Sequence, residues 1–207
     1  MILKLFHFFI KILFTYLLVL FNAMVFAQDP HFTQFYAAPL TVNPGYAGFF
    51  ENGSMRVISN YRRQWLSQFS YMNTTTVQLD GKFGNENEDK KNQFCGGILL
   101  MNDASLKGAV KSNYISGSGA YQISLDELSH KKLIVGLMAT YGNRRVDFSN
   151  LNFQEQYSGG SFDQTLPNGE AALQNMKSYI SLSTGLLYSI TNKDAGQYFD
   201  IGFSCFH

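Results

Sequence analysis

The chain has 207 residues, of which 45% are hydrophobic and 15% aromatic, and it carries 16 Lys and Arg against 15 Asp and Glu. This near-neutral balance gives no reason to expect nucleic acid or another polyanion as a partner. The two cysteines, Cys95 and Cys205, are too few for a disulfide-rich framework. Export would permit a bond between them, although two cysteines this far apart in sequence are more often unpaired packing residues.

Residues 1–27 form a hydrophobic leader, with Lys4 and Lys11 in its first part and an apolar run that continues to residue 26. Small or short residues before Gln28 fit a signal peptidase site, so we predict a secretory signal peptide that is removed. An uncleaved anchor is the competing interpretation, because the run almost reaches the length that crosses a bilayer. The remaining chain is one domain's worth of residues and contains no second apolar run long enough for a spanning helix.

Residues 28–52 precede the regular part of the chain and are rich in proline and aromatic residues. Each proline removes a backbone donor and pushes the preceding residue toward extended geometry, so no regular helix fits. The aromatic content is too high for a free linker. The prolines are Pro30, Pro39 and Pro44, and the aromatic residues include Phe32, Phe35, Tyr36 and Tyr46. We predict an extended segment that its aromatic side chains pin against the body of the protein.

From residue 53 to the end, polar and apolar residues alternate, which indicates strands with one apolar face. In residues 74–83, for example, Val77 and Leu79 alternate with Thr76 and Gln78. Two of the predicted strands depart from this pattern: arginines interrupt the first, and the third is apolar on both faces. The predicted strands cover residues 55–65, 74–83, 93–102, 110–124, 132–143, 179–191 and 197–207. Polar turns connect most of them, and a long loop occupies about 147–178.

Alternation of this kind occurs both in soluble sandwiches and in membrane barrels. The predicted strands are about ten to fourteen residues long, which suits a tilted crossing of a bilayer better than a soluble sheet. Ser, Thr, Gly and Gln dominate the polar face, as expected for a wetted interior, and aromatic residues cluster at strand ends. We therefore predict an all-β fold, an antiparallel outer-membrane-type β-barrel.

The seven predicted strands are an odd number, whereas single-chain bacterial outer-membrane barrels have an even number. An open edge in lipid leaves unpaired backbone groups, each of which costs several kcal/mol. We therefore expect a partial barrel in residues 53–207, an N-terminal fragment with about seven strands of a larger barrel. The alternative is an uncounted eighth strand within 147–178.

No catalytic, cofactor-binding or metal-binding residues are expected. His31, His130 and His207 lack a Glu or His at helical metal spacing, and no C-x-x-C pair indicates a zinc framework. No histidine shares a strand interior with the polar-face serines, as a hydrolase would require. The sequence also lacks a phosphate-binding loop and a calcium loop. These observations predict that the protein is not an enzyme.

A basic and aromatic cluster ends the first predicted strand. It consists of Tyr61, Arg62, Arg63, Gln64 and Trp65. One interpretation is an interfacial girdle, with arginines that reach toward lipid headgroups or pair with loop acids. The other is a rim that binds a protein partner.

Several of these stretches together resemble the PorP/SprF family of type IX secretion system membrane proteins. The residues that carry the resemblance are Asp29, Pro30, His31, Phe32, Gln34, Phe35, Tyr36, Asn43, Pro44, Gly48, Tyr61, Arg62, Gln64 and Trp65, with residues 96–103 and 198–203. Where the family has Asn-Pro-Ala, this chain has Asn43-Pro44-Gly45. The motif residues are candidates for partner binding.

The resemblance implies an outer-membrane protein of the type IX secretion and gliding machinery of Bacteroidota, exported through a cleaved signal peptide. Such a protein assists the export or surface attachment of a secreted, adhesin-like partner and has no enzymatic activity. The implied partners are outer-membrane lipid, other secretion components and a secreted cargo protein. The rival hypothesis is a passive channel or hydrophobic-substrate transporter with the same barrel architecture. A periplasmic sandwich would instead remain soluble without detergent.

Overall fold

The computed structural model describes residues 35–65, 71–84, 92–126, 130–147, 151–167, 169, 177–192 and 197–206. The leader at 1–27 and the motif residues before Phe35 lie outside these ranges. The strands are β1 (Met55–Gln64), β2 (Met72–Phe83), β3 (Asn92–Ser105), β4 (Val110–Ser124), β5 (Lys131–Val146), β6 (Tyr157–Ser158), β7 (Ser161–Phe162), β8 (Tyr179–Asn192) and β9 (Gln197–Cys205). All seven strands predicted from the sequence are present, within three residues of the predicted ends.

The long strands form one antiparallel sheet in the order β1-β2-β3-β4-β5-β8-β9, so each strand pairs with its nearest long neighbours in the chain. Strands β6 and β7 pair only with each other. In the described residues of 147–178, this hairpin and the 3-10 turn Gln154–Gln156 are the regular structure, and neither adds a strand to the main sheet. The all-β prediction is confirmed, and the seven strands form a half-barrel of the outer-membrane type.

The cross-strand register gives the half-barrel two different faces. On the outer face, Leu79 pairs with Ile98 and Val77 with Leu100, and all four side chains are exposed. On the inner face lie buried polar residues such as Thr76 of β2. The structure confirms the predicted separation into one apolar and one polar face.

The sheet is curved, as the hydrogen bonds between its two edge strands and the segment before β1 show. Asn60 on β1 donates a hydrogen bond to the carbonyl of Ala37, and Asn43 donates one to the carbonyl of Phe203 on β9. A flat sheet would separate these edge strands by six spacings, about 29 Å. The chain from residue 37 to residue 43 contains a 3-10 turn and spans roughly 16 Å at most. The two edges therefore curve toward each other around this segment.

In the described residues 35–54, the segment before β1 is not extended, contrary to prediction. Three short 3-10 turns shape it, at Phe35–Ala37, Pro39–Thr41 and Pro44–Tyr46, and a fourth turn lies at Leu106–Gly108 between β3 and β4. Proline fixes the backbone angle that starts the second and third turns. No helix in the described ranges is long and apolar enough to cross a membrane.

Candidate functional site

Residues 35–50, which we call the inner segment, lie against the inner face of the half-barrel. Leu40 and Ala47 are fully buried, and they pack with Leu99, Ile134 and Leu187, which are apolar residues at inward positions of β3, β5 and β8. The prediction that aromatic side chains pin this segment is only partly right, because Tyr46 and Phe49 lie at the edge of the cluster and Tyr36 is 68% exposed. The backbone of the segment also approaches β5 and β8 closely.

Glycines on the inner face make that close approach possible. A Cβ atom at Gly136 of β5 would collide with the backbone of Pro44 and Gly45, and one at Gly185 of β8 would collide with the side chain of Asn43. The two glycines are directly paired across β5 and β8. Together they form a groove without side chains, into which the backbone of the inner segment fits.

Asp80 of β2 is the polar centre of the site. Its side chain is fully buried, and its Oδ2 accepts hydrogen bonds from the backbone N–H of Gly48 at 2.8 Å and from Arg56 Nη2 at 2.7 Å. Its Oδ1 accepts from Gln78 Nε2 at 2.8 Å and from Arg56 Nε at 3.2 Å. A buried carboxylate requires such partners to offset its lost hydration.

Arg56 of β1 connects this carboxylate to the end of the inner segment. Its guanidinium donates to the carbonyls of Tyr46 at 3.1 Å and Phe49 at 3.3 Å, and it lies 5.0 Å from the centre of the Phe50 ring. The inner segment contains no charged residue. Burial, reinforced by the charge of Asp200, raises the pKa of Tyr46, which keeps its phenol neutral. The strands therefore supply both charges of the network.

Asn43 attaches the other part of the inner segment to β8 and β9. Its Nδ2 donates to the carbonyls of Leu186 at 3.1 Å and Phe203 at 3.3 Å, and its Oδ1 accepts from the N–H of Gly45 at 2.7 Å. Ser204 Oγ also donates to the carbonyl of Val42 at 2.8 Å. The side chain at this position must therefore both donate and accept hydrogen bonds. Among side chains of this shape, only an amide can do both.

We expect Asn43→Asp to lower the free energy of unfolding by about 2 kcal/mol or more, because a carboxylate would face two carbonyl oxygens and donate to neither. Urea titration of the refolded full chain in detergent micelles measures this effect. Asn152→Asp is the matched control, since Asn152 is exposed and already uses its Oδ1 as an acceptor from Gln164. Equal losses in the two variants would contradict the assigned hydrogen bonds.

The structure places the motif residues that it describes in the N-terminal stretch in different environments. Asn43, Pro44 and Gly48 are buried against the inner face, and Tyr36 is exposed. Phe35 begins the first 3-10 turn. The residues outside the described ranges are Asp29, Pro30, His31, Phe32 and Gln34. The buried motif residues contact strands of their own chain. Their position therefore indicates a role in internal packing.

The cluster at the end of β1 is divided between the two faces. Tyr61 and Trp65 are exposed, whereas Arg62 and Gln64 are half-buried on the inner side, where Arg62 Nη2 donates to Thr74 Oγ1 at 3.3 Å. The guanidinium of Arg63 lies on the outer side, 4.9 Å from the centre of the Tyr71 ring. The stretch therefore does not form one continuous surface.

A small recess opens at the end of the half-barrel where the long loop joins β5 and β8, an end we call the long-loop rim. Its volume is about 110 Å³, and it is lined by Tyr114, Asn143, Arg144, Lys177 and Tyr179. Two cations and three hydrogen-bonding side chains give it a basic, polar character. Sequence reasoning missed these residues because they come from three separate strands and a loop.

Asp80 and Arg56 were also absent from the residues predicted for the site. The available signal was a charged residue on the polar, inward side of each strand, and the register pairs Arg56 directly with Asp80. Cys95 is buried and Cys205 is exposed, and they are not bonded to each other. Within the described ranges, no group of three or more His, Cys, Asp or Glu residues is arranged to hold a metal ion.

Comparison with known protein families identifies a matching family. A family model described as "Type IX secretion system membrane protein PorP/SprF" matches residues 24–207. The matched range contains the inner segment and every strand of the half-barrel. Neither the curated proteins nor the solved structures gave a match.

Proposed function

The chain belongs to the PorP/SprF family of type IX secretion system membrane proteins, and on that premise we propose that it is a non-enzymatic outer-membrane component that assists the export or surface attachment of one partner secreted protein. A cleaved leader at 1–27 would deliver it to that membrane. Other secretion components would be its neighbours there, and the secreted protein, of an adhesin-like type, would be its cargo.

The exposed apolar side chains of the outer face support the membrane placement. Five successive outward positions of β5 are apolar: Leu133, Val135, Leu137, Ala139 and Tyr141. They extend about 27 Å along the strand, or about 20 Å across a bilayer at the usual strand tilt. That height is close to the apolar band of outer-membrane barrels. Exposed fractions of 75% at Ile180 and 71% at Leu182 on β8 continue the same surface.

The single observation that carries the functional proposal is the inner segment on the polar face. A passive channel requires a wetted passage along that face. Here Leu40 and Ala47 form a packed cluster with residues of four strands, and Asp80, Arg56 and Asn43 hold the segment at two separate positions. A filled interior favours a rigid platform whose rims and loops bind partners over a pore that conducts solutes.

The long-loop rim is the part of this platform that we assign to partner contact. Residues 151–167 include the β6–β7 hairpin, whose exposed Tyr157 and Phe162 rings are 5.1 Å apart in an edge-on arrangement. Exposed aromatic residues on a loop are common anchors in protein interfaces. The basic recess beside Lys177 lies at the same end of the half-barrel.

We expect deletion of the complete gene to remove one specific secreted protein from the cell surface and to leave solute uptake unchanged. Quantitative surface proteomics of the deletion strain, beside a strain complemented with the wild-type gene, measures the first effect. Uptake of labelled small solutes measures the second. An unchanged surface proteome together with altered uptake would contradict the proposal and support the channel hypothesis.

A further inference from the structure

The outer face of the half-barrel changes its chemistry toward the long-loop rim in the same order on three adjacent strands. Outward positions pass from apolar side chains to amides, and on two of the strands then to cations. The positions are Leu100 and Asn102 on β3, Ile115, Asn113 and Lys111 on β4, and Tyr141, Asn143 and Arg145 on β5. This order matches the passage from hydrocarbon through the interface to the headgroup region of a bilayer.

Lys111 and Arg145 are directly paired across β4 and β5, and both are exposed. Like charges directly opposite each other destabilise an antiparallel pair. In the part of the chain that the structure describes, neither cation forms an ion pair with a carboxylate. A third cation, Arg63, lies in the same cross-strand row, through Asn73 of β2 and Ala104 of β3. An anion bound at the pair would offset the repulsion between Lys111 and Arg145.

The geometry specifies the chemical class of that anion. Directly opposed residues have Cβ atoms about 5 Å apart, so an ammonium and a guanidinium can both donate to one phosphate group. The pair lies one amide row, Asn113 and Asn143, beyond the exposed apolar band, so a ligand that follows the surface has its hydrocarbon against Ile115 and Tyr141 and its anion at the cations. A soluble anion would leave this apolar border uncovered.

We propose that Lys111 and Arg145 form a binding site for the phosphate of an anionic lipid headgroup at the long-loop rim. The site rests on the membrane placement given under the proposed function. The site also makes the protein selective among lipids, and it fixes the depth of the long-loop rim in the membrane. Charge complementarity selects a phosphorylated anionic lipid over a zwitterionic one, because the choline group of the latter would add a further positive charge beside the cations.

The single tryptophan of the chain supplies the measurement. Trp65 lies at the same rim and is 73% exposed, so its emission reports lipid that binds nearby. The refolded full chain in neutral micelles is titrated with dansyl-labelled phosphatidic acid and, separately, with phosphatidylcholine carrying the same label. We expect energy transfer to saturate at a concentration about tenfold lower for phosphatidic acid. Inorganic phosphate at equal concentration should not compete.

The double variant Lys111→Gln/Arg145→Gln should lose most of this tenfold preference. The control Lys131→Gln/Lys132→Gln removes two charges at the opposite end of the same strand pair and should keep the preference. Lys111→Arg/Arg145→Lys retains both charges and should also keep it. If the Gln double variant does not refold, the single variant Lys111→Gln should still show a smaller preference than wild type.

Equal saturation for the two lipids with the wild-type chain, full preference in the Gln double variant, or competition by inorganic phosphate as strong as by lipid would each overturn the site. These results leave the membrane placement intact. Failure of the wild-type chain to take up either lipid would instead contradict the placement itself, so the two hypotheses fail separately.

Discussion

Asp80→Leu is expected to lower the free energy of unfolding by about 3 kcal/mol, measured by urea titration of the refolded full chain. Removal of one member of a buried ion pair commonly costs about 3–5 kcal/mol, because the remaining charge loses its partner while staying partly desolvated. The lower end applies here, since the Arg56 side chain keeps 23% of its surface exposed. The N–H of Gly48 and the amide of Gln78 lose an acceptor in the same variant.

The expected structural consequence is release of the inner segment at its β1 end. Limited proteolysis of the variant should cut within residues 44–50, which burial against the strands should protect in the wild-type chain. Asp163→Leu is the control, because Asp163 is exposed and its carboxylate, in the described structure, bonds only with Thr165 of its own loop. Arg56→Met/Asp80→Leu should recover part of the lost stability by removing the unpaired cation. A variant as stable and as protease-resistant as the control would show that this network does not hold the segment.

The strands and their two faces could be predicted from the sequence because period-two alternation is a local signal. Val77 and Leu79 lie outward and Thr76 and Gln78 inward, as the pattern of residues 74–83 indicates. The rule has a direct physical basis, since successive side chains of a strand point to opposite faces. Short turns then favour the register between consecutive strands, except between β5 and β8, which the long loop connects.

The position of the inner segment could not be predicted in the same way, because its contacts are not local. Asn43 and Phe203 are 160 positions apart in the chain, and no spacing rule relates an asparagine in a proline-rich stretch to a carbonyl of the last strand. Three 3-10 turns also replaced the expected extended path, since Pro39 and Pro44 each begin a turn. Proline is excluded from the interior of an α-helix, but it is compatible with both an extended path and a 3-10 turn.

Irregularities in the alternation were the available evidence for this contact. Residues 93–102 are apolar on both faces, and the inward member Leu99 packs in the cluster that contains Leu40. Ile134 and Leu187 are likewise apolar at inward positions. Such residues on an otherwise polar inner face predict that something dry covers them, although the sequence alone does not identify the covering segment.

Gly136→Val is expected to lower the free energy of unfolding by about 3 kcal/mol, at the upper end of the cost of overpacking. The new side chain would occupy the space of the Pro44–Gly45 backbone, which lies directly against the bare Cα of Gly136. Backbone atoms cannot turn aside as a flexible side chain can. Either β5 bends away or the inner segment leaves its groove, and both results break the packing around Leu40 and Ala47.

Gly117→Val tests whether the contact, rather than the loss of a strand glycine, causes this effect. Gly117 lies in β4 on the outer face, where an added Cβ would meet nothing within 4 Å. Valine has a higher strand propensity than glycine, so this variant should be as stable as wild type or more stable. The same substitution therefore has opposite effects on the two faces if the inner segment fills the half-barrel. Equal destabilisation at both positions in urea titrations would mean that the inner face is open in solution, and the channel hypothesis would then regain its physical basis.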